Sequence, residues 1–129
     1  MRAVDTNVLV RALTGDDFVQ SPAAEAFIRD HSPVWVSHVV LVETVWVLES
    51  VYDCGKPQLV EAMKRIIDNK DLSLDDPAVV RAALALYQSK GKVTFEDCLI
   101  LEIARKAGHL PLATFDKALG KFEGAQTVL

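Results

Sequence analysis

Two apolar patterns alternate along this chain: short extended runs, and longer stretches in which apolar residues return every three or four positions. The first pattern predicts strands and the second predicts helices. Ala3-Val4, Val34-Trp35-Val36, Leu72-Ser73-Leu74, Leu112-Ala113-Thr114 and Gln126 to Leu129 read as strands. A turn of helix through Val8, Leu9 and Ala12 ends near Gly15. Ser21-Pro22 has the cap-then-proline form of a helix start, and that helix runs to about Asp30. Ser37 reads as the N-cap of a long helix that stops before Gly55, and another helix spans about Pro57 to Asn69. Asp76-Pro77 opens a helix ending near Gly91, and Thr94 caps one that reaches Gly108. Short apolar strands separated by helices predict an α/β fold with a mostly parallel sheet and helices on both faces. No linker, repeat or low-complexity stretch interrupts the pattern, so a single domain over residues 1–129 is expected.

Composition narrows the classes. Half of the 129 residues are apolar, enough to bury a sizeable core. A net charge of −4 argues against a generic nucleic-acid coat, which is usually basic, but is compatible with a nuclease whose acids gather in a metal site. No apolar run approaches the ~18 residues of a membrane span. Asp5 lies inside the first apolar stretch, so no signal-peptide pattern is present and a cytosolic protein is expected. Cys54 and Cys98 fit that compartment as free thiols, and neither a CxxC pair nor histidines at ligand spacing accompany them.

The candidate chemistry lies in four acids set against apolar sequence. Asp5 follows Ala3-Val4, Glu43 interrupts Val39 to Leu48, Asp97 precedes Cys98-Leu99-Ile100-Leu101, and Asp116 follows Leu112 to Phe115. A carboxylate in low dielectric is costly unless it is paired or holds a metal, so one divalent-cation site collecting all four is the economical reading. Three of them have a plainer role open to them. Asp5 or Thr6 would serve as a helix N-cap, Asp116 would cap a short helix through Leu119, and Thr94 with Asp97 would form a capping-box variant. Glu43 lies beyond the first turn of a helix that is apolar on nearly every side, which predicts that it is buried. Periodicity does not choose between Glu96 and Asp97, which lie similarly far from the polar stripe of Glu102, Arg105 and Lys106.

These segments resemble one family. Val4-Asp5-Thr6-Asn7-Val8-Leu9-Val10-Arg11 is similar to the opening motif of PIN-domain nucleases, specifically VapC-type toxins of toxin–antitoxin pairs. Ser37 to Glu43 resembles the second block, Phe95 to Ile100 the third and Thr114-Phe115-Asp116 the fourth, in the right order over the whole chain. The third block departs at Thr94, where many members carry an additional acid, and Glu96 is the nearest substitute.

The resemblance implies a PIN-like, Rossmann-type three-layer fold. It also implies Mg²⁺- or Mn²⁺-dependent endoribonuclease activity, with RNA phosphodiesters cleaved by metal-activated water. Asp5 and Asp97 would be the nearest ligands, with Glu43 and Asp116 acting directly or through waters. Asn7, Thr114 and Thr6 would orient water, carboxylate or phosphate around them. A homodimer and a cognate antitoxin are the implied protein partners.

The other conspicuous residues have plainer readings. Asp16-Asp17 reads as a solvated loop, Arg11 as a surface salt bridge, and Trp35 and Trp46 as core or interface. His38 lies five residues from Glu43 and so well round the helix from it, which argues against a general-base role, and His31 and His109 read as surface positions. An aspartate-based phosphotransferase or phosphatase needs a second acid two residues after Asp5, where this chain has Asn7. A non-catalytic PIN-like binding module would have little reason to keep Glu43 in an apolar helix.

Overall fold

Asp5 ends the first extended segment and starts the first helix in one step. Its backbone is extended (φ −90°, ψ 178°) while its carboxylate accepts the N–H of Val8, so α1 runs Thr6–Thr14. The first strand signal therefore has no room to develop. Ala3 makes one parallel bridge to Trp35, with Trp35 N–H donating to the Arg2 carbonyl at 2.7 Å. α1 closes at Gly15, whose φ of 64° lies in the left-handed region that glycine enters without cost.

The computed structural model describes residues 1–89 and 91–129, and the chain divides into two units, Met1–Pro77 and Ala78–Leu129. In the N-terminal unit α1 is followed by α2 (Gln20–Asp30), β1 (Val34–Val36), α3 (His38–Ser50), α4 (Lys56–Asp68) and β2 (Leu72–Leu74). β1 and β2 are parallel, with Val34 opposite Leu72 and Val36 opposite Leu74. Leu9, Val10, Val34, Val36, Leu41, Val45, Leu59, Met63 and Ile66 are buried. Burying one such side chain contributes about 1.5–3 kcal/mol, which is what holds helices too short to persist alone.

α5 (Pro77–Gln88) begins at the boundary between the units, and α6 (Phe95–Ala107), β3 (Leu112–Thr114) and β4 (Ala125–Thr127) follow. β3 and β4 are parallel, and a 3₁₀ turn at Leu119–Lys121 precedes β4. Val80, Ala83, Phe95, Cys98, Leu99 and Leu101 are buried, and Tyr87 meets Phe95 edge to face at 6.1 Å. Six α-helices and short parallel strands among the described residues make this a mixed α/β fold. Among those residues no helix is long and apolar enough to cross a membrane. Among the described residues neither Cys54 nor Cys98 is in a disulfide.

Several expectations need correction. α2 does not start from a Ser21 cap. The Asp17 carboxylate accepts the N–H groups of Val19 (3.0 Å) and Gln20 (2.7 Å), and Ser21 is a buried residue whose hydroxyl accepts the Asp17 N–H. Pro22 is tolerated because it lies in the first turn, where a missing N–H costs nothing. α5 ends at Gln88 rather than near Gly91, with Ser89 N–H shared between the carbonyls of Ala85 and Leu86. Glu102 is not part of an exposed stripe. It is 8% exposed and takes Arg105 Nε at 3.2 Å on both carboxylate oxygens, which makes its burial tolerable.

Acid stability has a local source in the N-terminal unit. The backbone N–H groups of Gln20 and Val19 hold the Asp17 carboxyl below the ordinary aspartate value. The hydroxyls of Thr14 and Tyr52 do the same for Asp16. Groups with lowered folded values contribute stability above the unfolded value, and lose it as pH falls through the folded one. Thermal midpoints of the intact chain are therefore expected to fall as pH drops below about 4. In Asp17→Asn, which can still cap but cannot titrate, that fall should be shallower. Superimposable pH profiles for the two proteins would remove Asp17 as a contributor.

Candidate active site

Two of the four candidate acids lie in each unit, and capping explains how three of them are positioned. Asp5 Oδ1 accepts the Val8 N–H at 3.0 Å, so the cap of α1 is Asp5 itself and not Thr6. Asp116 N–H donates to Thr114 Oγ1 at 3.0 Å, and Asp116 Oδ1 accepts the N–H groups of Ala118 (2.8 Å) and Leu119 (3.1 Å). Thr94 Oγ1 accepts the Asp97 N–H at 3.1 Å and places Asp97 in the first turn of α6. The caps that sequence offered as a rival to metal binding are present. They do not exhaust the carboxylates. A carboxylate has two oxygens and about four acceptor sites, and at Asp5 and Asp116 the cap occupies Oδ1 while fixing the rotamer of the group.

Glu43 is the principal correction. It is exposed, not buried. α3 buries Leu41, Thr44, Val45 and Leu48 on one face, and on the other leaves Val39 and Trp46 at 68% and 61% exposure with Glu43 between them. A helix that is apolar all round was read as surrounded by core, yet its second apolar face is open. The cost of burying a lone carboxylate therefore does not arise at Glu43. Asp5 and Asp116 are exposed as well, and Asp97 is half-buried beside a half-buried Glu96, so burial does not separate those two neighbours.

Among the described residues none of the four acids is paired with a cation; ion pairs elsewhere include Arg11 with Asp16, Arg29 with Asp30, His38 with Asp75, Arg65 with Glu61 and Arg105 with Glu102. Taken within each unit, the described residues include no group of three or more His, Cys, Asp or Glu that could hold a metal ion. The donor set still fits a hard cation. Each of the four side chains offers the anionic oxygen donors that such a cation prefers. Asn7 is exposed, Thr6 is half-buried at the start of α1, and Thr114 uses its hydroxyl to fix the turn that presents Asp116.

A hollow of about 610 Å³ opens beside Asp5 in the N-terminal unit. Val8, Ala23, Ala24 and Phe27 supply its apolar wall, and Asp5, Asn7, Arg11 and Gln20 its polar side. Arg11 is held there from two directions. Its Nε donates to Gln20 Oε1 at 2.8 Å, and its Nη1 lies 3.5 Å from Tyr52 Oη and 3.7 Å from Asp16. Tyr52 Oη in turn donates to Asp16 Oδ1 at 3.2 Å, and Thr14 Oγ1 donates to the same oxygen. Asp16 is an exposed loop residue, as expected, that also belongs to a network, and the Arg11 salt bridge is one arm of it. Gln20 belongs to no motif and gave no signal in the sequence. Trp35, 39% exposed, and Trp46 lie outside the core. The His31 ring meets Phe27 in a tilted contact, centroids 4.5 Å apart at 54°, and His38 is 3.8 Å from Asp75.

Capping by Asp5 has a measurable consequence. Asp5→Ala deletes the acceptor for Val8 N–H and is expected to lower folding stability by about 1 kcal/mol. Asp5→Asn keeps an Oδ1 acceptor and should cost much less. Equal losses for the two variants in denaturant titrations would show that the cap is not what Asp5 contributes to the fold.

Helices alternating with short parallel strands, and acids that follow extended segments or cap helices, define an α/β protein. A family model for the PIN domain matches residues 2–125, and the chain belongs to that family. No curated protein matches the chain.

Proposed function

We propose that this PIN-domain protein is a Mg²⁺- or Mn²⁺-dependent endoribonuclease, the toxin of a VapC-type toxin–antitoxin pair, with Asp5, Glu43, Asp97 and Asp116 as its catalytic, metal-binding carboxylates. The observation that carries the reading is the state of these carboxylates. Two are anchored by a cap through one oxygen, and among the described residues none of the four is neutralised by a basic side chain.

When bound, the cation supplies Lewis-acid polarisation of a phosphoryl oxygen and a water acidic enough to attack it. The protein's part is positioning. The Val8 N–H holds Asp5, and the Ala118 and Leu119 N–H groups hold Asp116, so neither carboxylate needs to be ordered when the cation and RNA arrive. Thr94 places Asp97 at the start of α6, where the helix N-terminus favours negative charge. Glu43, exposed on α3, is free to turn toward cation or water. Asn7 supplies an amide that can orient a phosphate oxygen or a water.

The exposed apolar face of α3, with Val39 and Trp46, and the exposed Phe18 and Val51 exceed what the core uses and would serve a second copy of the chain and an antitoxin. The toxin role has a cellular test. Induced in a bacterial host, the intact chain is expected to arrest growth while Asp97→Asn at matched abundance does not. Normal growth with the intact chain at that level would count against a toxin.

A further inference from the structure

We infer that the hollow beside Asp5 is a subsite for a guanine base of single-stranded RNA, the base flanking the phosphate that is cut. The position of that phosphate at Asp5 rests on the nuclease reading above.

The size of the hollow, about 610 Å³, lies within the range of sites that enclose whole small ligands and has room for a purine nucleotide. Its wall includes Ala23 and the half-buried Phe27, whose ring is in tilted contact with His31 at 4.5 Å. A supported aromatic ring beside small side chains is a surface on which an unstacked base can lie.

The polar side has a directional bias. Arg11 Nε donates to Gln20 Oε1, which occupies the amide's acceptor and leaves its Nε2 hydrogens available. Arg11 Nη1 faces Tyr52 and Asp16, which leaves the Nη2 hydrogens available. The two neighbouring side chains therefore present donors toward a ligand edge. Guanine carries two adjacent acceptors on one edge, O6 and N7, whereas the same edge of adenine pairs the N7 acceptor with an N6 donor that would oppose a donor. A pyrimidine would leave much of the volume unfilled. Tyr52 and Asp16 hold the guanidinium before any ligand binds, so little ordering is left to do on binding.

The experiment has two arms, both with the full chain. In the first, 5′-GMP, 5′-AMP and 7-deaza-GMP are titrated in Mg²⁺ and followed by NMR shifts. GMP is expected to bind roughly ten-fold or more tightly than the other two, the scale of one paired base contact. Gln20→Glu, which turns a donor into an acceptor, should abolish the preference, and Gln20→Leu should weaken it. In the second arm, the ends of RNA fragments are mapped, and guanine is expected at one fixed position beside the cut. Absence of nucleotide preference would overturn the subsite even if RNA is cleaved, and is the result expected if a partner protein's apolar side chain fills the hollow. Cleavage without guanine at a fixed position would overturn it too. Selective GMP binding sensitive to Gln20, with no RNA cleaved, would uphold the subsite and overturn the nuclease reading instead.

Discussion

Asp97→Asn is expected to lower metal-dependent RNA cleavage about a hundred-fold or more, the scale of removing one preorganised electrostatic group from a site. The fold should hardly notice. Asp97 is tied into α6 through its backbone N–H, which donates to Thr94 Oγ1, and that bond survives the substitution. Among the described residues its carboxylate makes no hydrogen bond or ion pair, so no partner is left stranded. What is lost locally is a negative charge in the first turn of a helix, worth roughly 0.3–1 kcal/mol. A large loss of rate with a small loss of stability separates a chemical role from a structural one. Rates within a few-fold of the intact chain would take Asp97 out of the machinery and turn attention to Glu96, its half-buried neighbour.

The second large effect is on stability. Mg²⁺ or Mn²⁺ at about a hundred times its dissociation constant stabilises the folded state by ~2.7 kcal/mol if it binds only that state. For a chain of this length, such a gain is expected to raise the thermal midpoint by on the order of 10 °C. Asp5→Asn should keep most of the metal-free midpoint, because the amide oxygen can still accept the Val8 N–H, and should lose much of the metal-induced rise. Asp5→Ala would confuse the two effects by removing the cap. An unchanged rise in Asp5→Asn would exclude Asp5 as a ligand.

The parts of the fold legible in the sequence are those fixed by local chemistry. Gly15 and Gly108 end their helices in the left-handed region, and Ser37 and Thr94 accept the N–H groups of Val40 and Asp97 as their types predict. Where two local signals competed, sequence chose wrongly. Ser21-Pro22 looked like a helix start, but Asp17 already supplied a stronger acceptor to Val19 and Gln20. Burial is not local, and there the reading failed at Glu43 and Glu102. The apolar surroundings of Glu43 in sequence include a face of α3 on which Val39 and Trp46 are exposed, whereas Glu102 is buried because Arg105, one turn later, accompanies it.

The positions of Asp5, Asp97 and Asp116 at the starts of helices or turns were legible, because acids there interrupt apolar runs. Their capping bonds were legible too, as alternatives. The hollow was not, since packing of α1 against α2 brings Asn7 and Arg11 to Gln20 and Phe27. The Arg11–Tyr52–Asp16 network was equally hidden, because it joins residues 36 and 41 positions apart.

The most direct test of the central claim is cleavage of total cellular RNA by the purified intact chain with Mg²⁺ or Mn²⁺, run beside EDTA and beside Asp5→Asn and Asp97→Asn, with the fragment ends mapped. Discrete products that need the metal and vanish in both variants are the predicted result. Products that persist in EDTA or in the variants, or metal binding that leaves every RNA intact, would contradict a nuclease built on these carboxylates.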